Sequence, residues 1–196
     1  MSNNLTDRIK SCDYCQLSGG RPVPGEGNPH ADIMFIGEAP GKQEELAGRP
    51  FVGAAGKLLN RLLEGIGLKR DDVYITNIIK CRPPQNRDPL PEEIKACREW
   101  LDEQIKSIKP KLIVLLGRHA LNRFLPELKI SKVHGQLLRE EVADLGTFVF
   151  FPIYHPAAAL YNPKMREPME EDFKKILNLL QSIEEGNLFD NLNRCL

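Results

Sequence analysis

The chain has 196 residues, 41% of them hydrophobic, with 27 basic side chains balanced by 27 acidic ones. That length supports one sizeable core, so a single domain over 1–196 is expected. The balance excludes a bulk electrostatic claim on nucleic acid or membrane, though not a local basic face, because affinity for a polyanion follows the phosphates contacted rather than the total charge. With no apolar run long enough for a bilayer and no signal-peptide pattern at Met1-Ser2-Asn3-Asn4, a soluble, cytoplasmic protein with no membrane partner is expected, and nothing demands more than a monomer.

In chain order, the first thirty residues carry Cys12-Asp13-Tyr14-Cys15 and then a Gly- and Pro-rich stretch over 19–29. A short helical turn into Cys12 followed by an irregular loop is predicted, and such a loop in a compact domain needs something to tie it down. Ile33-Met34-Phe35-Ile36 is an unbroken apolar run, the pattern of a strand buried on both faces. It breaks into Gly37-Glu38-Ala39-Pro40-Gly41, a turn that can bring bare backbone close to a ligand. After Gly48-Arg49-Pro50-Phe51-Val52-Gly53, the stripe Ala55, Leu58, Leu59, Leu62, Leu63 and Ile66 predicts a helix ending near Gly67. A second strand is predicted over 73–79, interrupted by Asn77 and running into a loop stiffened by Pro83 and Pro84. Pro91-Glu92-Glu93 opens the next helix, with Ile94, Cys97, Leu101, Ile105 and Ile108 on its buried face.

A third strand over 112–116 ends at Gly117 and gives way to a short helix over 118–125. A hairpin region over 133–144 leads to a fourth strand over 148–154, which ends at His155-Pro156-Ala157-Ala158-Ala159-Leu160. Phe173, Ile176, Leu177, Leu180 and Ile183 mark the last helix, and the polar tail over 186–196 is expected to be loosely held. Alternating strands and helices predict an α/β fold: a central four-stranded, mainly parallel sheet with helices on both faces. The turn at Gly37, Asn77, Gly117 and His155 then all fall at the carboxyl ends of strands, where ligands bind in such sheets.

Five cysteines in a chain of this kind point away from a disulfide framework. Cys12, Cys15, Cys81 and Cys97 form one close pair and two later thiols that the fold can bring together. Cys97 alone reads equally well as a packed residue on an apolar helix face. Their spacing favours a metal centre and leaves zinc and an iron–sulfur cluster both open, while Cys195 in the tail reads as a spare. Asn77 inside an apolar strand is costly unless its amide is satisfied, either by a neighbouring loop or by the edge of a bound polar ring. Phe51 reads as core or as a stacking platform. His155 is as consistent with a packed residue as with a catalyst.

These segments resemble one known family. Gly37-Glu38-Ala39-Pro40-Gly41, Gly48-Arg49-Pro50-Phe51-Val52-Gly53, Thr76-Asn77 through Lys80-Cys81-Arg82-Pro83-Pro84, and His155-Pro156-Ala157-Ala158 match the motifs of the family-4 uracil-DNA glycosylases in order. This is the iron–sulfur-containing branch of the uracil-DNA glycosylase superfamily, and the likeness runs from about Cys12 to Pro163. It implies a DNA repair enzyme that flips uracil out of DNA, single- or double-stranded, and hydrolyses its bond to deoxyribose.

By the same resemblance, Phe51 stacks on the uracil, Asn77 reads its O4 and N3–H, and His155 donates to O2 as negative charge gathers on the departing base. Gly37, Ala39 and Asn86 line the base, and Glu44 excludes the methyl group of thymine. Ala39 stands where the best-studied branch has a water-orienting aspartate, so the resemblance implies Glu38, the nearest carboxylate, as the catalytic group that either stabilises an oxocarbenium-like sugar or positions the water. Arg82, Arg87 and Lys80 near the proline-stiffened loop are candidate phosphate contacts or solvated charges, and since Ala159 holds the usual wedge position, either Leu160 fills the space left by the flipped base with a shifted loop or the wedge is weak. Cys12, Cys15, Cys81 and Cys97 would hold a 4Fe-4S cluster that pins the N-terminal loop, about 1–30, to the rest. The alternative is a non-catalytic iron–sulfur protein binding nucleic acid on the same scaffold.

Overall fold

The computed structural model describes residues 3–186; the tail over 187–196, with Cys195, lies outside the described residues. Six strands form one sheet: β1 (Glu26–Gly27), β2 (Ile33–Gly37), β3 (Tyr74–Asn77), β4 (Leu112–Leu116), β5 (Leu138–Val142) and β6 (Gly146–Ile153), in the order β1-β3-β2-β4-β6-β5. The four central strands are mutually parallel, and the two edge strands are antiparallel to their neighbours. The predicted four-stranded sheet is thus the central part of a six-stranded one. The additions are a two-residue strand too short to leave a periodic signal and the first arm of the expected hairpin region.

The helices are α1 (Asn3–Lys10), α2 (Lys42–Ala47), α3 (Ala54–Gly65), α4 (Pro91–Ile108), α5 (Gly117–Phe124), α6 (Ile130–Val133), α7 (Pro156–Tyr161) and α8 (Arg166–Glu184). The period of two along each strand divides the core. Met34, Ile36, Ile113 and Leu115 meet α1, α4 and α5 through Ile9, Trp100, Leu101, Ile105 and Leu121. Ile33, Phe35, Val114 and Leu116 meet α3 and α8 on the other face through Leu59, Leu63, Phe173 and Ile176. Strands buried on both faces lose the hydrophobic alternation that would locate their edges.

Two boundaries moved. The second strand stops at Asn77 rather than reaching residue 79. Ile78 and Ile79 still donate to the carbonyls of Gly37 and Glu38, at 2.9 and 3.2 Å, but their side chains join the core beside α4 as the chain turns away. The hairpin region begins with α6, and pairing with β6 starts only at Leu138.

At the N-terminus, the expected helical turn is the two-turn α1, with Leu5 and Ile9 buried. It is held to α4 by a bidentate Arg8–Glu103 pair at 2.7 and 2.9 Å and by the Arg8 guanidinium 5.0 Å from the Trp100 ring. No helix among the described residues is long and apolar enough to cross a membrane.

Phe173 is 1% exposed and its ring lies 5.9 Å from that of Phe35, so α8 is anchored through an aromatic contact in mid-sheet. Phe173→Ala is expected to destabilise the fold by about 3–5 kcal/mol, read as a lowered denaturant midpoint at unchanged slope.

Candidate active site

The parallel register between β2 and β3 sets Gly37 beside Asn77. This pairing fits only glycine: a Cβ at position 37 would lie 2.4 Å from the Asn77 Oδ1 and 2.6 Å from the Phe51 Cζ. Both side chains therefore fold over bare backbone at the strand ends. The resulting cavity, about 210 Å³, is lined by Ala39, Gly41, Glu44, Phe51, Ala55, Asn77, Asn86 and His155. Every residue that the sequence assigned to the uracil edge is in this wall except Gly37, which the two larger side chains cover.

Asn77 is 2% exposed, and its Oδ1 has no hydrogen-bond partner. A buried, unsatisfied acceptor costs about 1–3 kcal/mol, which a ligand donor would recover. The backbone of Asn77 is held from below. Lys80 folds back under the strand end and donates from Nζ to the Asn77 carbonyl, the Thr76 hydroxyl and the Gln104 Oε1 at 2.7, 2.8 and 2.7 Å. At 1% exposure Lys80 cannot reach a phosphate, contrary to the expectation from sequence, and burial lowers its pKa to about 8.

Phe51 has φ 52, a left-handed conformation that is strained for an aromatic residue. Three residues fix it there. The Glu44 Oε1 accepts the backbone N–H groups of Val52 and Gly53 at 3.0 and 2.8 Å. Arg70 donates to the carbonyls of Pro50 and Phe51 and is itself paired with Glu26. Gly56 gives the loop room, because a Cβ there would come within 1.7 Å of the Phe51 carbonyl oxygen. Glu44 thus lines the cavity and also supports the stacking loop, the second role having left no trace in the sequence.

His155 caps α7: its Nδ1 accepts the N–H of Ala157 at 3.1 Å, which leaves the proton of a neutral ring on Nε2. Burial lowers its pKa to about 4, so the ring is uncharged at neutral pH. Its centroid lies 5.5 Å from that of Phe51 at 30° between planes.

Glu38, next to the lining residue Ala39, is half-buried and is not part of the cavity wall. Its Oε2 lies 3.8 Å from the Nε2 of His119, and burial raises its pKa. Arg82 donates to the Asn86 Oδ1 at 2.7 Å and to Glu45 at 3.3 Å, while Arg87 donates to both oxygens of the buried Glu93 at 2.9 and 2.5 Å. Any phosphate contact by either arginine must draw on the N–H groups these pairs leave over. On α7, Ala159 is buried, while Leu160 at 45% and Tyr161 at 91% are exposed.

Cys12, Cys15, Cys81 and Cys97 line one enclosed pocket between the N-terminal loop and α4, and all four are free thiols. The donor set fits a thiolate-bound metal centre. The sulfurs of Cys97 and Cys12 accept from the Lys80 backbone N–H at 3.2 Å and the Trp100 Nε1 at 3.1 Å, contacts that stabilise negative charge on sulfur. Burial pushes the thiols of Cys81 and Cys97 up to about 12 and about 11, so a bound cation would have to displace these protons.

A mainly parallel α/β sheet with an aromatic and amide-lined cavity at its strand ends is suited to gripping a flat, polar ring. Residues 24–181 match the model of the Uracil DNA glycosylase superfamily, and the chain belongs to that superfamily. Within it the chain belongs to the type-4 branch. It is 50% identical over 198 residues to a type-4 uracil-DNA glycosylase of Archaeoglobus fulgidus, covering 97% of this chain and 98% of the relative. Another, from Saccharolobus solfataricus, is 50% identical across 91% of this chain and 86% of its own length. A third, from Thermotoga maritima, is 43% identical across 90% and 93%.

Removing the Glu44 carboxylate leaves two loop amides without their acceptor. Glu44→Ala is expected to cost about 1–3 kcal/mol of stability and to speed hydrogen exchange at Val52 and Gly53, measured by denaturation and by NMR.

Proposed function

We infer that this protein is a uracil-DNA glycosylase, which takes uracil out of the DNA stack and hydrolyses its N-glycosidic bond to leave an abasic site. The observation that carries the reading is the unpartnered Asn77 Oδ1, buried in a cavity walled by Phe51 and a neutral His155. Uracil offers a donor at N3 and an acceptor at O4. The Asn77 amide accepts from the first and donates to the second, whereas cytosine presents the opposite pattern at both atoms. The Phe51 ring stacks on the base. His155 donates its Nε2 proton to O2, where charge builds as the bond to C1′ breaks. A neutral N–H donor stabilises that charge by a hydrogen bond that strengthens as the charge builds.

Ala39 carries no group that can orient water, so Glu38 beside it is the carboxylate assigned to the attacking water and to the developing positive charge on the sugar. Leu160, exposed on α7, is the residue assigned to enter the duplex behind the flipped nucleotide. The non-catalytic alternative gains no support from a site whose base-reading residues are all present. The protein acts in this reading as a monomer in the cytoplasm.

The four-cysteine pocket is assigned to a 4Fe-4S cluster, a choice of metal resting on the resemblance to the iron–sulfur branch. Hydrolysis transfers no electrons, so the cluster supplies cross-linking of the N-terminal loop to α4 and the end of β3.

Asn77→Asp tests the base-reading role. Uracil release from a uracil-containing strand, scored as alkali-labile cleavage, is expected to fall by at least about tenfold, the effect of losing one hydrogen bond to the base. Unchanged kinetics would remove Asn77 from the site. The cluster has its own test: Cys12→Ser with Cys15→Ser is expected to lose bound iron, visible absorbance and thermal stability together. A stable, iron-free and fully active double variant would refute the assignment.

A further inference from the structure

His119 has no role in the reading above, yet it stands beside Glu38, which does. It follows Gly117 and Arg118 at the end of β4, on the same sheet edge as the Gly37 turn. Its Nε2 is 3.8 Å from the Glu38 Oε2 and 3.4 Å from the Asp88 Oδ2. Arg118 donates from Nε to that ring at 3.1 Å and closes an ion pair with Asp88. Among the described residues no other basic side chain lies within ion-pairing distance of Glu38. The start of α5 is pressed against the other catalytic element as well, since a Cβ at Gly117 would lie 2.9 Å from the His155 Cβ. The His119 side chain is only 17% exposed, so its interaction with Glu38 is poorly screened by water.

We propose that His119 is the positioning residue for Glu38, holding its carboxylate ionised and turned toward the water that attacks the sugar. The proposal rests on the reading of Glu38 as the carboxylate that serves this water. In the step itself the water oxygen bonds to C1′, and the C1′–N1 bond breaks with its electron pair leaving on uracil. The water proton passes to Glu38, which needs an unprotonated oxygen to receive it. A half-buried carboxylate beside Asp88 resists ionisation, and His119 with the Arg118 guanidinium opposes that resistance. These are the charged groups that face Glu38: Asp88 from the loop before α4, and Arg118 and His119 from α5. The separation of 3.8 Å is longer than a hydrogen bond, and such contacts commonly tighten once substrate is bound.

Two measurements test the proposal. In single-turnover uracil release, His119→Gln is expected to lower the rate at saturating enzyme about tenfold or more, with affinity for uracil-containing DNA within about twofold, and to move the acid limb of the pH–rate profile to higher pH. The same substitution added to Glu38→Gln is expected to have little further effect, because His119 acts through that carboxylate. The second measurement needs no activity: a carbon-13 NMR titration of the Glu38 carboxyl should give a higher pKa in His119→Gln and a lower one in Asp88→Asn. A Glu38 titration indifferent to His119, or an unmoved acid limb, would overturn the proposal. A wild-type protein that releases no uracil while Glu38 still responds to His119 would overturn the catalytic reading instead.

Discussion

One contact without a side chain underlies the whole site: Gly37 lies opposite Asn77 in parallel register, and nothing larger than hydrogen fits there. The register between two central strands is fixed by burial on both faces, because slipping by one residue would exchange the partners of the two core layers. Once it is fixed, the amide of Asn77 and the ring of Phe51 share the space that a Cβ would occupy. Recognition of a flat base is thereby tied to the most rigid part of the fold.

The strained parts of the site lie around that rigid centre. Phe51 in a left-handed conformation and Asn77 with an orphaned oxygen are each unfavourable by about 1–3 kcal/mol. Both are overdetermined by the groups that hold them: Glu44 and Arg70 for the loop, Lys80 for the strand end. The three supports are ionisable side chains drawn into the protein, and each satisfies two or more backbone or side-chain partners, which is the condition for charge to be tolerated there. A pocket organised before its ligand arrives spends less of the binding interaction on ordering itself.

The central sheet was legible because uninterrupted runs such as Ile33-Met34-Phe35-Ile36 and Leu112-Ile113-Val114-Leu115-Leu116 have few other solutions in a chain of this length. The cavity wall was legible because its residues sit in motifs at strand ends. What escaped was whatever depends on direction rather than position. Lys80 and Arg82 look alike as cations in a loop, yet one turns under the strand and the other outward. Glu44 gave no sign that its carboxylate would take two amides eight and nine residues on. His119 sat in a helix read only for its position after the third strand, so its approach to Glu38 across the sheet edge had no counterpart in local pattern. β1, two residues long, lies below any periodicity.

Lys80 has one further consequence. Its backbone N–H is bonded to the Cys97 sulfur while its ammonium is bonded to the Asn77 carbonyl, and Cys81 follows it directly. The thiol pocket and the base-reading amide therefore share a single residue as a common strut. An insertion or deletion between Asn77 and Cys81 would pull one of the two out of place, however well the loop around it adjusted. Elsewhere the chain can change length at its turns; across this interval it cannot, so the distance in sequence between the two sites is itself a fixed dimension of the molecule.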